Sequence, residues 1–131
     1  MDINTIIDTM REDLVDTLKR WIAVPSVKAE AQPGAPFGGE VKRMLHMALE
    51  EGEKMGFEAR NIDEYAGDLR MGPIGVEPLG ILAHLDVVPA GDGWQTPPFE
   101  PVQVGDRIFG RGTSDDKGPA IAALYAMKAI K

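Results

Sequence analysis

Two histidines, His46 and His84, and no cysteine occur in this chain of 131 residues, so any metal it binds must be held by imidazole nitrogen and carboxylate oxygen. His84 stands two residues before Asp86. In an extended segment such residues point to the same side, so the two side chains project together while Leu85 faces the other way. An imidazole that binds a metal through one nitrogen leaves its other N–H needing an acceptor. A neighbouring carboxylate fixes the tautomer and raises the basicity of the ligating nitrogen. The same pair also reads as a His and an Asp that satisfy each other at a strand end, and taken alone it does not choose between the two readings.

The segment Gly110-Arg111-Gly112-Thr113-Ser114-Asp115-Asp116-Lys117-Gly118-Pro119 is the most unusual in the sequence. Thr113 and Asp116 have the spacing of a capping box, which is the structural reading. Pro119 suits the first position of a helix. Gly118 would then be the cap and both aspartates would lie in the preceding loop, where no helical N–H requires them. Adjacent carboxylates repel, Lys117 is expected to offer one exposed charge, and a divalent cation is the better compensator. A nucleotide loop is disfavoured, because Asp115 stands where a third glycine would be needed and no Gly-Lys-Ser/Thr follows.

Those groups must be positioned by an α/β framework, with helices packed on a mixed β-sheet. Ile3, Ile6, Ile7, Met10, Leu14, Leu18, Trp21 and Ile22 recur at helical spacing and Pro25 closes the segment, predicting an amphipathic helix over 3–23. Residues 26–39, with Pro33, Gly34 and Pro36, read as a surface loop. A second helix is expected over 40–55, ended by Gly56. Short extended runs follow at 57–62 and 67–71, and the apolar run 79–88 reads as a strand buried on both faces that carries His84 near its carboxyl end. A hairpin through Gly105-Asp106 is expected within 102–109, and a third helix from Pro119. The pattern stops at Lys131 without a helix-ending residue, which predicts a domain cut short.

Size and composition allow one modest core. The net charge of -7, without any cluster of Lys and Arg, argues against a nucleic-acid partner. The first apolar positions are broken by Asp2, Asp8, Arg11, Glu12 and Asp13, so no membrane span or leader is expected there, and the cytoplasm is the expected location.

At these motifs the sequence resembles the di-zinc exopeptidase family that includes PepV-type bacterial dipeptidases, carnosine dipeptidases, acetylornithine deacetylase and succinyl-diaminopimelate desuccinylase. The matching strings are His84-Leu85-Asp86-Val87-Val88-Pro89 and Gly110 through Gly118, joined by Gly93-Trp94 and Pro97-Pro98-Phe99. The Ala-Gly-Asp-Gly-Trp turn and the first helix ending in Pro25-Ser26-Val27 look most similar to the PepV type. The resemblance implies a metal site in which His84 ligates one zinc and Asp115 bridges two, with manganese or cobalt as alternatives. By the same resemblance Asp86 is the catalytic-site carboxylate that holds the His84 ring, Asp116 shapes the turn after a cis peptide, and Trp94 and Phe99 pack beneath the site. His46 matches nothing in the motifs and is expected at the surface.

The implied reaction is hydrolysis of a dipeptide by a metal-activated water, with a glutamate as general base. Deacylation of a small N-acyl amino acid is the alternative within the family, and a non-catalytic, self-associating metal-binding module is the alternative outside it. The family's Glu-Glu pair, further acidic ligand and distant His do not occur after Lys117, and its lid or dimerisation domain is missing. The 131 residues are therefore expected to be the inactive front portion of a catalytic domain, prone to form homo-oligomers through uncovered sheet edges.

Overall fold

A computed structural model describes residues 1–131. Helix α1 (Ile3–Ile22) begins where the Asp2 carboxylate accepts the backbone N–H groups of Asn4 and Thr5, and it ends three residues before Pro25. Helix α2 (Gly39–Lys54) stops at Met55, followed by Gly56 at φ 81°, a conformation that favours glycine. Strands β1 (Glu58–Ile62) and β2 (Ala66–Arg70) form an antiparallel hairpin packed on α2, with Glu58 opposite Arg70 and Ile62 opposite Ala66. A second hairpin pairs β3 (Val102–Val104) with β4 (Arg107–Phe109), and α3 (Lys117–Ile130) closes the order.

The core lies where α1, α2 and α3 meet. Ile22, Met44 and Ile121 have no exposed surface, and Leu18, Trp21, Leu124 and Tyr125 pack around them. One polar pair crosses this core: the hydroxyls of Thr17 and Tyr125 share a hydrogen bond of 2.9 Å. Burial pushes the Tyr125 hydroxyl up to about 12, so it stays neutral and remains available to that bond.

The α/β class and the three helices agree with the sequence reading, but several details differ. The expected mixed sheet is replaced by two separate antiparallel hairpins and one parallel bridge, Val27 to Val87. Residues 79–88 do not form the strand expected from their apolar run. Leu79 and Leu82 are 92% and 100% exposed, and only Val87 is buried. A strand owes its hydrogen bonds to the backbones of neighbours on either side, and along this run the one backbone-to-backbone bond is from the Val87 N–H to the Ser26 carbonyl.

Helix α3 opens at Lys117, not at Pro119. Proline is accommodated as the third helical residue because the N–H groups of a first turn have no partner within the helix. Lys117 also departs from expectation: its side chain is wholly buried, not exposed.

Candidate metal centre

His84 and Asp115 are separated by 31 positions in sequence, yet the His84 Nε2 lies 3.0 Å from the Asp115 Oδ1. Asp86 stands on the other side of the ring. Its backbone carbonyl lies 3.1 Å from Nδ1 and its Oδ1 lies 3.3 Å away. The pairing expected from the two-residue spacing is therefore present, although the segment is extended without being a strand. In the tautomer that carries its proton on Nδ1, facing Asp86, the lone pair of Nε2 is directed toward Asp115.

In that tautomer two electron-rich atoms face each other at 3.0 Å and require a cation, whether a proton or a metal. Partial burial works against charge on His84. The hydrogen bonds to Asp115 and to the Asp86 backbone outweigh it, aided by the carboxylates of Asp86 and Asp116, and hold the imidazole above its ordinary pKa. One imidazole nitrogen and one carboxylate oxygen are donors that suit zinc. They fit part of a metal site, because no group of three or more His, Asp or Glu side chains is arranged to hold a metal ion together. Both side chains remain open to solvent, His84 at 51% and Asp115 at 86%, so further ligands have room to approach.

Asp116 takes a part that spacing alone did not reveal. Its carboxylate makes no capping bond to α3, although Asp116 occupies the N-cap position. The Oδ2 instead accepts the backbone N–H of His84 at 3.0 Å. The Asp115–Asp116 peptide is cis. The Trp94 indole N–H donates to the Ala90 carbonyl at 2.8 Å and its ring faces the Arg111 guanidinium. Phe99 is half-buried. His46, on the flank of α2, pairs with Glu64 at 2.7 Å.

A cleft of about 330 Å³ opens beside His84 and Asp86, walled by Phe37, Val41, Leu45 and Tyr65 with Lys28 at its edge. Glu64 and Asp86 line it beside Lys28, so its apolar walls carry polar groups of both signs.

The profile of peptidase family M20/M25/M40 matches residues 80–131, which include both motifs. YtjP of Bacillus subtilis strain 168, provisionally named a dipeptidase, is 45% identical over 123 residues, or 92% of this chain and 26% of its own length. A Staphylococcus aureus protein from strain USA300, provisionally named in the same way, is 44% identical over 122 residues with the same coverage. The crystal structure of human carnosine dipeptidase 1 superposes with a TM-score of 0.71 at 29% identity, covering 98% of this chain and 31% of that one. The chain thus spans about a quarter of the length of the curated relatives it matches.

Proposed function

We infer that this chain is part of a metal-dependent peptidase of the M20/M25/M40 kind, a hydrolase of dipeptides, to which it contributes one edge of a dinuclear zinc centre. The observation that carries the reading is the 3.0 Å approach of His84 Nε2 to Asp115 Oδ1, within the segment that the family profile matches. His84 and Asp115 would hold the metal, and Asp86 fixes the ring so that Nε2 is the nitrogen presented. A pair of zinc ions at such a centre supplies a water acidic enough to attack at neutral pH and polarises the scissile carbonyl.

What the chain itself contributes is orientation. The Asp116 carboxylate holds the main chain of His84, and the apolar cleft beside the ring excludes water from one side of the substrate. Two side-chain ligands are fewer than two zinc ions require, so the site is completed by groups outside these 131 residues, and the chain alone is inactive.

A chimera tests this. With this chain in place of the corresponding quarter of YtjP, hydrolysis of dipeptides is expected, and it should fall by more than about 1,000-fold in the His84→Ala variant, on the scale of losing a principal catalytic group. The 131-residue chain with zinc should show no turnover. Cleavage of N-acetylated amino acids in preference to dipeptides would replace the dipeptidase reading with a deacylase, and hydrolysis by the isolated chain would contradict the division of the site.

The exposed apolar run favours a second reading, self-association of the isolated chain. Ile74, Leu79 and Leu82 are almost fully exposed, and a contiguous patch of that kind is usually covered in solution. Light scattering is expected to give a mass above 14.2 kDa that returns to the monomer value when Leu79 and Leu82 are both changed to serine. A monomer at high concentration in the unmodified chain removes this reading.

A further inference from the structure

His84 and Asp115 touch each other only at the surface, and exposed ion pairs are worth about 0–1 kcal/mol, too little to set their own separation. Something buried must hold the two segments at a fixed distance. The chain's fully buried polar side chains include Ser26 and Lys117, and both meet the same corner, the turn that follows α1.

From that corner one set of bonds runs to the histidine segment. The Ser26 hydroxyl donates to the Leu85 carbonyl at 2.7 Å, and the Ser26 carbonyl accepts the Val87 N–H at 2.9 Å, so residues 85 and 87 are fixed immediately beyond His84. A second set runs to the aspartate segment. The Lys117 ammonium donates to the Trp21 carbonyl at 2.8 Å and to the Val24 carbonyl at 2.7 Å, two residues beyond Asp115. Carbonyls at the end of a helix carry partial negative charge and lack partners within it, so they are suitable acceptors for an ammonium. The two supports also close on the same glycine. A Cβ at Gly112 would lie 2.8 Å from the Val87 side chain and 3.3 Å from the Lys117 stem, so only glycine lets them close up.

An apolar side chain could fill the volume of Lys117, since replacing buried charges by well-packed hydrophobic groups is often neutral for stability. What packing lacks is direction. An ammonium bound to two carbonyls defines where its own main chain sits, and hence where Asp115 sits.

We propose that Lys117 and Ser26 are positioning residues: anchored on the corner at Trp21–Ser26, Lys117 places the carboxylate of Asp115 and Ser26 places the imidazole of His84, so a segment without ligands sets the spacing of the metal centre. This rests on the metal-binding reading above.

The test is a pair of double-mutant cycles on the purified 131-residue chain, with zinc affinity read by competition with a chromophoric chelator and folding read by urea unfolding. Lys117→Met is expected to weaken zinc binding by about 10- to 100-fold, the usual range for a residue that orients a ligand. In an Asp115→Asn background the same change should matter less than about twofold, because the group it positions is gone. Ser26→Ala should behave in the same way against His84→Ala, and it carries the test alone if Lys117→Met does not fold.

Equal losses in both backgrounds, or a lowered urea midpoint with unchanged zinc affinity, would show that the two residues are structural only and overturn the proposal. If His84→Ala and Asp115→Asn themselves leave zinc affinity unchanged, the metal reading fails, and the positioning role falls with it.

Discussion

The Asp115→Asn variant of this chain is expected to bind zinc more than about 100-fold less tightly than the unmodified chain, with an unchanged unfolding midpoint. Substitutions that only orient a ligand already cost about 10- to 100-fold, so removal of a ligand's charge should exceed the upper end of that range. The fold should not notice. Asp115 is 86% exposed and its side chain bonds only to His84, and such an exposed pair contributes about 0–1 kcal/mol to stability. A calorimetric zinc titration beside a thermal melt separates the two quantities. Loss of stability with retained affinity would mean that the pair is a structural ion pair, and the metal assignment would be wrong.

The second large effect is on folding. Ile22 has no exposed surface, lies in the core cluster shared by the helices, and fills the space over Gly110, where a Cβ would come within 2.6 Å of its Cγ2. Ile22→Ala is expected to cost about 2–5 kcal/mol, combining lost transfer energy with the cavity left behind. A domain of this size has only about 5–15 kcal/mol in total, so a substantial part of its stability is at stake. Ile7→Ala on the same helix, at a position 47% exposed, should change stability by less than about 0.5 kcal/mol. Urea unfolding of the two variants gives the comparison, and equal small losses would indicate that the core around Ile22 relaxes into the gap.

Because Ile22 packs on Gly110, its loss is also expected to loosen the turn that leads to Asp115. Stability and site geometry are linked here through contact, not through chemistry. The links run from α1 through Ile22 to Gly110, and through Lys117 to the start of α3.

The sequence by itself determined the helices. A helix closes its hydrogen bonds within four residues, so the apolar spacing closed by Pro25 and the Gly56 stop were sufficient to mark α1 and α2 to within a residue. The turn at Gly105-Asp106 was equally local. The two-residue spacing of His84 and Asp86 anticipated their contact, in which Nδ1 meets the Asp86 carbonyl, although the segment is not a strand.

Tertiary structure decided everything that depended on a distant partner. Residues 79–88 carry the composition of a buried strand, yet a strand exists only where neighbours supply its ladder, and most of this run has none. The buried state of Lys117 was invisible for the same reason: its acceptors lie 93 and 96 positions away, one in the last turn of another helix and one just beyond it. Asp116 had the spacing of a helix cap but gave its carboxylate to the main chain of residue 84. Local periodicity records what a residue does for its own element, whereas the partner of a buried polar group is settled only when elements dock and leave that group one place to turn.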